Sequence, residues 1–131
     1  MKIQISFDGN KRVNANVNGH IVKTDQPVHS GGDNSAPAPY ELFLASLGTC
    51  AGIYVKSFCD QRNISTDNIS LEQIIEWDKI ANKLGKITFQ INLPADFPEK
   101  YKESVIKAAE LCAVKKTITD PPAMAVIAVT V

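Results

Sequence analysis

The chain has no net charge. Over 131 residues fourteen basic side chains meet fourteen acidic ones, and only Arg12 and Arg62 among the basic ones are arginines. Nucleic acids and anionic membrane surfaces select for a surplus of cations, so this balance argues against both as principal partners. Three cysteines are too few for a disulfide-built secreted scaffold, and the odd count leaves at least one thiol unpaired. No Cys-x-x-Cys pair occurs. His20 and His29 are too few for a metal centre, and a zinc site drawn from them with Cys50 or Asp33 has no ligand spacing behind it. Gly31-Gly32 lacks the further glycines and the Lys-Ser ending of a phosphate loop, and reads instead as part of a flexible lid or subunit-clasping loop. The longest apolar run, Leu42 to Val55, is broken by Ser46, Gly48, Thr49 and Gly52 and is too short to cross a bilayer. The amino terminus alternates polar and apolar residues without the apolar core of a signal peptide. The expectation is a cytoplasmic protein with no cofactor and no metal, folded as a single domain over residues 1–131.

What is present is a regular alternation of patterns. Ile3, Ile5 and Phe7 share one face of a strand, Asp8-Gly9 is a hairpin signal, and Val13, Ala15 and Val17 repeat the period. Asn18-Gly19 is a second hairpin signal, followed by a short strand over residues 20–24. Residues 25–38 are rich in Gly, Pro, Ser and Asn and read as a loop. Pro39 suits the first turn of a helix that runs to about Arg62, with Glu41 well placed for its dipole. Its first two thirds are apolar on nearly every face, which requires enclosure by a sheet and by a partner subunit, hence a homodimer. Ile69, Leu71, Gln73, Ile75 and Trp77 then alternate as a strand, and Ile87, Phe89, Ile91 and Leu93 as another. A second helix is expected from about Glu99 to Cys112, and a closing strand over residues 123–131 after Pro121-Pro122. The order βββ-α-ββ-α-β is an α+β architecture.

Chemistry rests on the cysteines. Cys59 is nine positions from Cys50 and therefore on the opposite face of the first helix. Taken alone, a cysteine in an apolar helix is more often a small buried hydrophobe than a nucleophile, and Cys112 taken alone reads the same way. The surrounding residues add to this. The run from Gly32-Asp33-Asn34 through Pro39-Tyr40-Glu41-Leu42 to Leu47-Gly48-Thr49-Cys50 resembles the OsmC/Ohr family, whose central helix opens on a proline-acidic-leucine entry and bears the reactive cysteine. Ala108 to Lys116, around Cys112, is similar to the family's second motif, usually Cys-Pro-Val.

The resemblance implies a thiol peroxidase without metal or haem, built as an intertwined homodimer. Cys50 would attack an organic hydroperoxide and become a sulfenic acid, Cys112 would resolve it as a disulfide, and a dithiol reductant would restore both thiols. The family supplies an activating arginine from the amino-terminal sheet, held by a glutamate at the start of the helix. Arg12 and Glu41 are the candidates here, with an exposed hairpin arginine as the alternative for Arg12 and Lys115, Lys116 or a histidine as substitutes. Two departures stand out. Tyr40 rather than a glutamate follows Pro39, which turns Glu41 about 100° around the helix, and Ala113 stands where the family has proline. Burial raises a thiol's pKa, and Cys50 sits too far along its own helix for dipole help, so a compensating cation is expected. The rival reading is a binding or redox-sensing protein whose apolar pocket holds a small hydrophobic ligand.

Overall fold

A computed structural model describes residues 1–130. Strands β1 (Ile3–Phe7), β2 (Val13–Val17) and β3 (His20–Val22) come first, then helix α1 (Pro39–Asp60), strands β4 (Ser70–Asp78) and β5 (Lys83–Asn92), and helices α2 (Lys102–Ala109) and α3 (Ala113–Thr119). Both sheets are antiparallel, β1-β2-β3 and β4-β5. The chain is an α+β fold, and its contacts divide it into two units, Met1–Ala45 and Ser46–Val131.

In the first unit the hairpin signals are read by the backbone. Asn18 and Gly19 both take positive φ, 51° and 87°, the pair of left-handed residues that a two-residue hairpin between Val17 and His20 requires. Asp8-Gly9 works differently: the connection spans Asp8 to Arg12, closed by Asp8 N–H donating to Arg12 O at 3.0 Å and Arg12 N–H to Gly9 O at 3.0 Å. The segment expected as a flexible lid is organised around one carboxylate. Asp25 has 0% exposure and accepts hydrogen bonds from Gln26 N–H (2.8 Å), Asp33 N–H (3.2 Å), Ser35 N–H (2.9 Å) and Ser35 Oγ–H (2.6 Å). Gly32 is obligatory there, because a Cβ would lie 2.0 Å from Gln26 O.

Helix α1 begins with Pro39 at its first position, where the missing N–H is an orphan anyway. Three residues past Ala38, Glu41 reaches back to accept from Ala38 N–H at 2.8 Å, the reciprocal half of a capping box. At the other end Asn63, with φ 54°, ends the helical path, and Ile64 N–H donates to Cys59 O at 3.0 Å. By length and composition α1 could span a membrane. Within the single chain it buries one stripe, Leu47, Ala51, Val55, Phe58 and Cys59. Phe43 and Ile53 stand exposed.

The core of the second unit joins Val55, Phe58 and Cys59 of α1 to Phe97 and to Val105 of α2. Ile91, Leu93, Ala108 and Ala109 pack against it. Gly85 faces the irregularity at Glu76/Trp77, where a Cβ would crowd Asp78 N (3.2 Å) and Glu76 O (3.3 Å). Two elements depart from the sequence reading. The single helix expected to reach Cys112 is a 3-10 turn (Glu99–Tyr101) followed by α2, and the chain becomes helical again as α3. The closing strand is absent among the described residues: 123–130 carry no strand assignment, and Val131 lies outside the description. β-Branched residues suit a strand, but a strand forms only where a neighbour satisfies its ladder of N–H and C=O groups.

Candidate active site

Two neighbouring elements of the second unit present the two thiols. Cys50 lies in α1, half-buried, one turn beyond Leu47. Cys112 lies between α2 and α3 and is 2% exposed. It is the N-cap residue of α3: its φ of −46° and ψ of 119° are non-helical, and its sulfur accepts from Lys115 N–H at 3.4 Å. The Cys112 thiol in turn donates to Leu47 O on α1 at 3.8 Å. The Cys112 side chain lies close enough to Cys50 to help lower the pKa of its thiol.

The start of α3 supplies electrostatics that the sequence did not reveal. A helix leaves its first N–H groups without intrahelical acceptors. Here Ala113 and Val114 direct theirs at the Cys50 sulfur and Lys115 directs its own at Cys112. The Cys50 thiol is thereby held below its ordinary pKa, first by Val114 N–H, next by the Cys112 side chain and lastly by Ala113 N–H, against a partial burial that pulls the other way. Within this unit the groups that lower the Cys50 pKa are backbone N–H donors and the Cys112 side chain. Cys59 has the opposite environment: burial, with the negative charge of Asp60, pushes its thiol up despite Lys56 and Arg62. A thiolate is the nucleophile, and the surroundings push Cys50 towards that form and Cys59 away from it.

The remaining sequence candidates sit in the first unit. Arg12 is an exposed hairpin residue whose Nη1 donates to Asp33 Oδ2 at 2.7 Å and whose Nε donates to Asp8 O at 3.2 Å. Its carboxylate partner is thus Asp33, while Glu41 caps α1. His20 lies in β3 and His29 in a 3-10 turn. Among the described residues no three His, Cys, Asp or Glu side chains form a metal-ligating group. Lys115 enters the site through its backbone. Sequence reasoning missed three residues. Asp25 was hidden because a buried carboxylate in a polar loop has no pattern, and Ala113 and Val114 because they act through N–H groups that carry no side-chain signature.

A cleft of about 350 Å³ opens beside Cys112, with Ile87, Phe89 and Ile91 of β5 along one side and Ile106 and Ala109 of α2 along the other. Cys50 is not among its lining residues.

An α+β fold that sets an activated thiol against a buried second thiol defines a class of dithiol protein. The chain belongs to the OsmC-like protein family, whose model matches residues 32–126 and so takes in both cysteines but not Arg12. Its fold is that of an osmotic-stress-induced and detoxification response protein from Psychrobacter arcticus, with TM-score 0.73 and 18% identity over 89% of this chain and 87% of that one. An OsmC-like protein from Mycoplasma pneumoniae superposes with TM-score 0.69 and 13% identity over 92% and 87%. An organic hydroperoxide resistance protein from Elizabethkingia anophelis does so with TM-score 0.59 and 20% identity over 89% and 88%. No curated protein sequence matches.

Proposed function

We propose that this protein is a cysteine-based peroxidase that reduces organic hydroperoxides in defence against oxidative stress. The observation that carries the reading is the placement of Cys50, its pKa lowered, beside the buried Cys112. The Cys50 thiolate attacks the terminal oxygen of the hydroperoxide, the O–O bond breaks, and the alcohol leaves once its alkoxide is protonated. The sulfenic acid on Cys50 is then displaced by the Cys112 sulfur, releasing water and closing a disulfide before further oxidation can intervene. A dithiol reductant restores both thiols. Membership in the OsmC-like family and the hydroperoxide-resistance name of one structural neighbour support the substrate class. The reading needs neither metal nor cofactor.

In this proposal Arg12 remains the family-implied candidate for an activating cation; within the first unit its guanidinium pairs with Asp33. Glu41 contributes by fixing the start of the helix that carries Cys50. The working form is a cytoplasmic homodimer. Support for the dimer comes from apolar side chains left in solvent: Ile3, Ile5 and Phe7 of β1, Ile53 of α1, and Met124, Val126 and Ile127 of the tail. Cys50→Ser is expected to abolish consumption of cumene hydroperoxide, and oxidised wild-type protein to show a Cys50 to Cys112 disulfide by peptide mass spectrometry. Wild-type turnover by the variant would overturn the assignment. The apolar cleft favours one second reading, a small-hydrophobe binder or redox sensor. Thiols that resist mild oxidation, with a lipid-like molecule co-purifying, would establish that reading instead.

A further inference from the structure

A peroxidase step releases a strong base, and that base has to find a proton. When a thiolate takes the terminal oxygen of a hydroperoxide, the inner oxygen departs as an alkoxide. The backbone N–H groups of Val114 and Ala113 that lower the Cys50 pKa can face negative charge but do not give up their hydrogens. The other group that lowers it, the Cys112 side chain, carries a dissociable proton. We propose that Cys112 is the proton donor to the departing alkoxide, and that this transfer leaves it as the thiolate that then closes the disulfide. The inference rests on the peroxidase reading and adds to it a proton-donating role that precedes the resolving one.

The placement of the thiol suits that role. Cys112 is 2% exposed, so bulk water competes little for its hydrogen. Its S–H donates to Leu47 O at 3.8 Å, and Leu47 lies three residues before Cys50 in α1, one turn away on the same side of the helix. A thiol needs only a rotation about its Cβ–Sγ bond to turn its hydrogen from that carbonyl to an oxygen arriving at Cys50. Lys115 N–H donates to the same sulfur at 3.4 Å and stabilises the negative charge left when the proton goes. The cleft beside Cys112 has apolar walls, and the other acidic or basic groups lining it, Glu110 and Lys115, are both exposed. Water on the half-buried side of Cys50 is the competing donor, and a thiol is a far stronger acid than water.

The steps balance. The Cys50 thiolate attacks the terminal oxygen, which stays on that sulfur as the hydroxyl of a sulfenic acid. The O–O bond breaks and its electron pair leaves on the alkoxide. The alkoxide takes the Cys112 proton and departs as the alcohol. The Cys112 thiolate attacks the Cys50 sulfur, the S–O bond breaks, and hydroxide leaves to meet the proton that Cys50 shed on ionising. Two thiols have been oxidised to a disulfide, and one hydroperoxide has been reduced to an alcohol and water. Because one event protonates the alkoxide and ionises Cys112, the resolving thiolate appears as the sulfenic acid that it attacks is formed.

The test compares two oxidants of similar size in single-turnover reactions, read as loss of alkylatable Cys50 by peptide mass spectrometry. tert-Butyl hydroperoxide expels a strongly basic alkoxide that needs a proton, whereas peracetic acid expels acetate, which does not. The ratio of the two rates within one protein cancels any change in the Cys50 pKa, since both oxidants meet the same thiolate. Cys112→Ala is expected to raise the ratio of peracetic acid rate to hydroperoxide rate about a hundredfold over wild type, the lower end of what a positioned acid contributes. Cys112→Val, which fills the site without a donor, should match it. Cys112→Ser, whose hydroxyl can donate, should return the ratio towards wild type. An unchanged ratio in the Ala and Val variants would assign the proton to water, and a ratio that moves in Lys115→Gln would assign it to the ammonium; either result overturns the proposal. If neither oxidant reacts at wild-type Cys50, the peroxidase reading falls as well, whereas oxidation with an unchanged ratio removes only this inference.

Discussion

Ala113 departs from the proline that the family resemblance predicts, and at that position the difference is one hydrogen-bond donor. Its N–H is one of the two backbone donors on Cys50. Because residue 113 is the first position of α3, proline is tolerated there by the helix. Ala113→Pro should therefore leave the fold intact while raising the Cys50 pKa. The pH profile of iodoacetamide alkylation at Cys50 should move to higher pH, with unchanged far-UV circular dichroism, and an unmoved profile would mean that Val114 and Cys112 alone set the thiolate. In wild type the same profile should lie at lower pH for Cys50 than for Cys59, whose burial acts in the opposite direction. Gly32 makes a purely steric prediction. A methyl group there meets Gln26 backbone and the loop must shift, so Gly32→Ala should cost about 1–3 kcal/mol in urea unfolding.

At the scale of elements, the loop between β3 and α1 depends on the ionised form of Asp25. Desolvation of the buried carboxylate opposes its hydrogen bonds only in part. The Ser35 hydroxyl, followed by Ser35 N–H and then those of Gln26 and Asp33, holds the pKa at about 2 against an ordinary 3.8. A depressed carboxyl pKa contributes stability that is complete above the unfolded value and is lost as pH falls through the folded one, so the loss falls between about 3.8 and about 2. Thermal melts should show wild type losing stability across that interval. Asp25→Asn, which replaces an acceptor by a donor facing N–H groups, should melt lower at neutral pH and lack this contribution to the acid slope. The end of α1 depends on Arg62, whose guanidinium lies 3.7 Å from the centre of the Phe58 ring and donates to Phe58 O at 3.1 Å. Arg62→Ala should cost about 1 kcal/mol, read as a lowered Tm. The limits of α1 were legible in Pro39 and Glu41, since both act locally through the backbone. The split between α2 and α3 was not, because the break depends on Cys112 turning its sulfur to cap the second helix.

For the whole molecule, the tail is where the sequence pattern and the single chain disagree. Met124, Val126, Ile127 and Val129 belong to an apolar, mostly β-branched run of the kind expected in a strand, yet they are exposed and carry no strand assignment. If a second copy covers them, sedimentation of wild type should give a dimer, and Ile127→Lys should shift it towards monomer. A wild-type monomer would instead leave the tail free in solution. By itself the sequence determined the α+β order up to α2, the Asn18-Gly19 hairpin, the start of α1 and the opposite facing of Cys50 and Cys59, because each follows from residue periodicity or from a backbone preference within a few positions. Only the tertiary structure decided that Cys112 comes beside Cys50, that the first N–H groups of α3 lower its pKa, that Arg12 pairs with Asp33, and that Asp25 organises the loop. Each of those joins groups distant in sequence, and no local pattern records which distant group will satisfy a given sulfur, guanidinium or carboxylate.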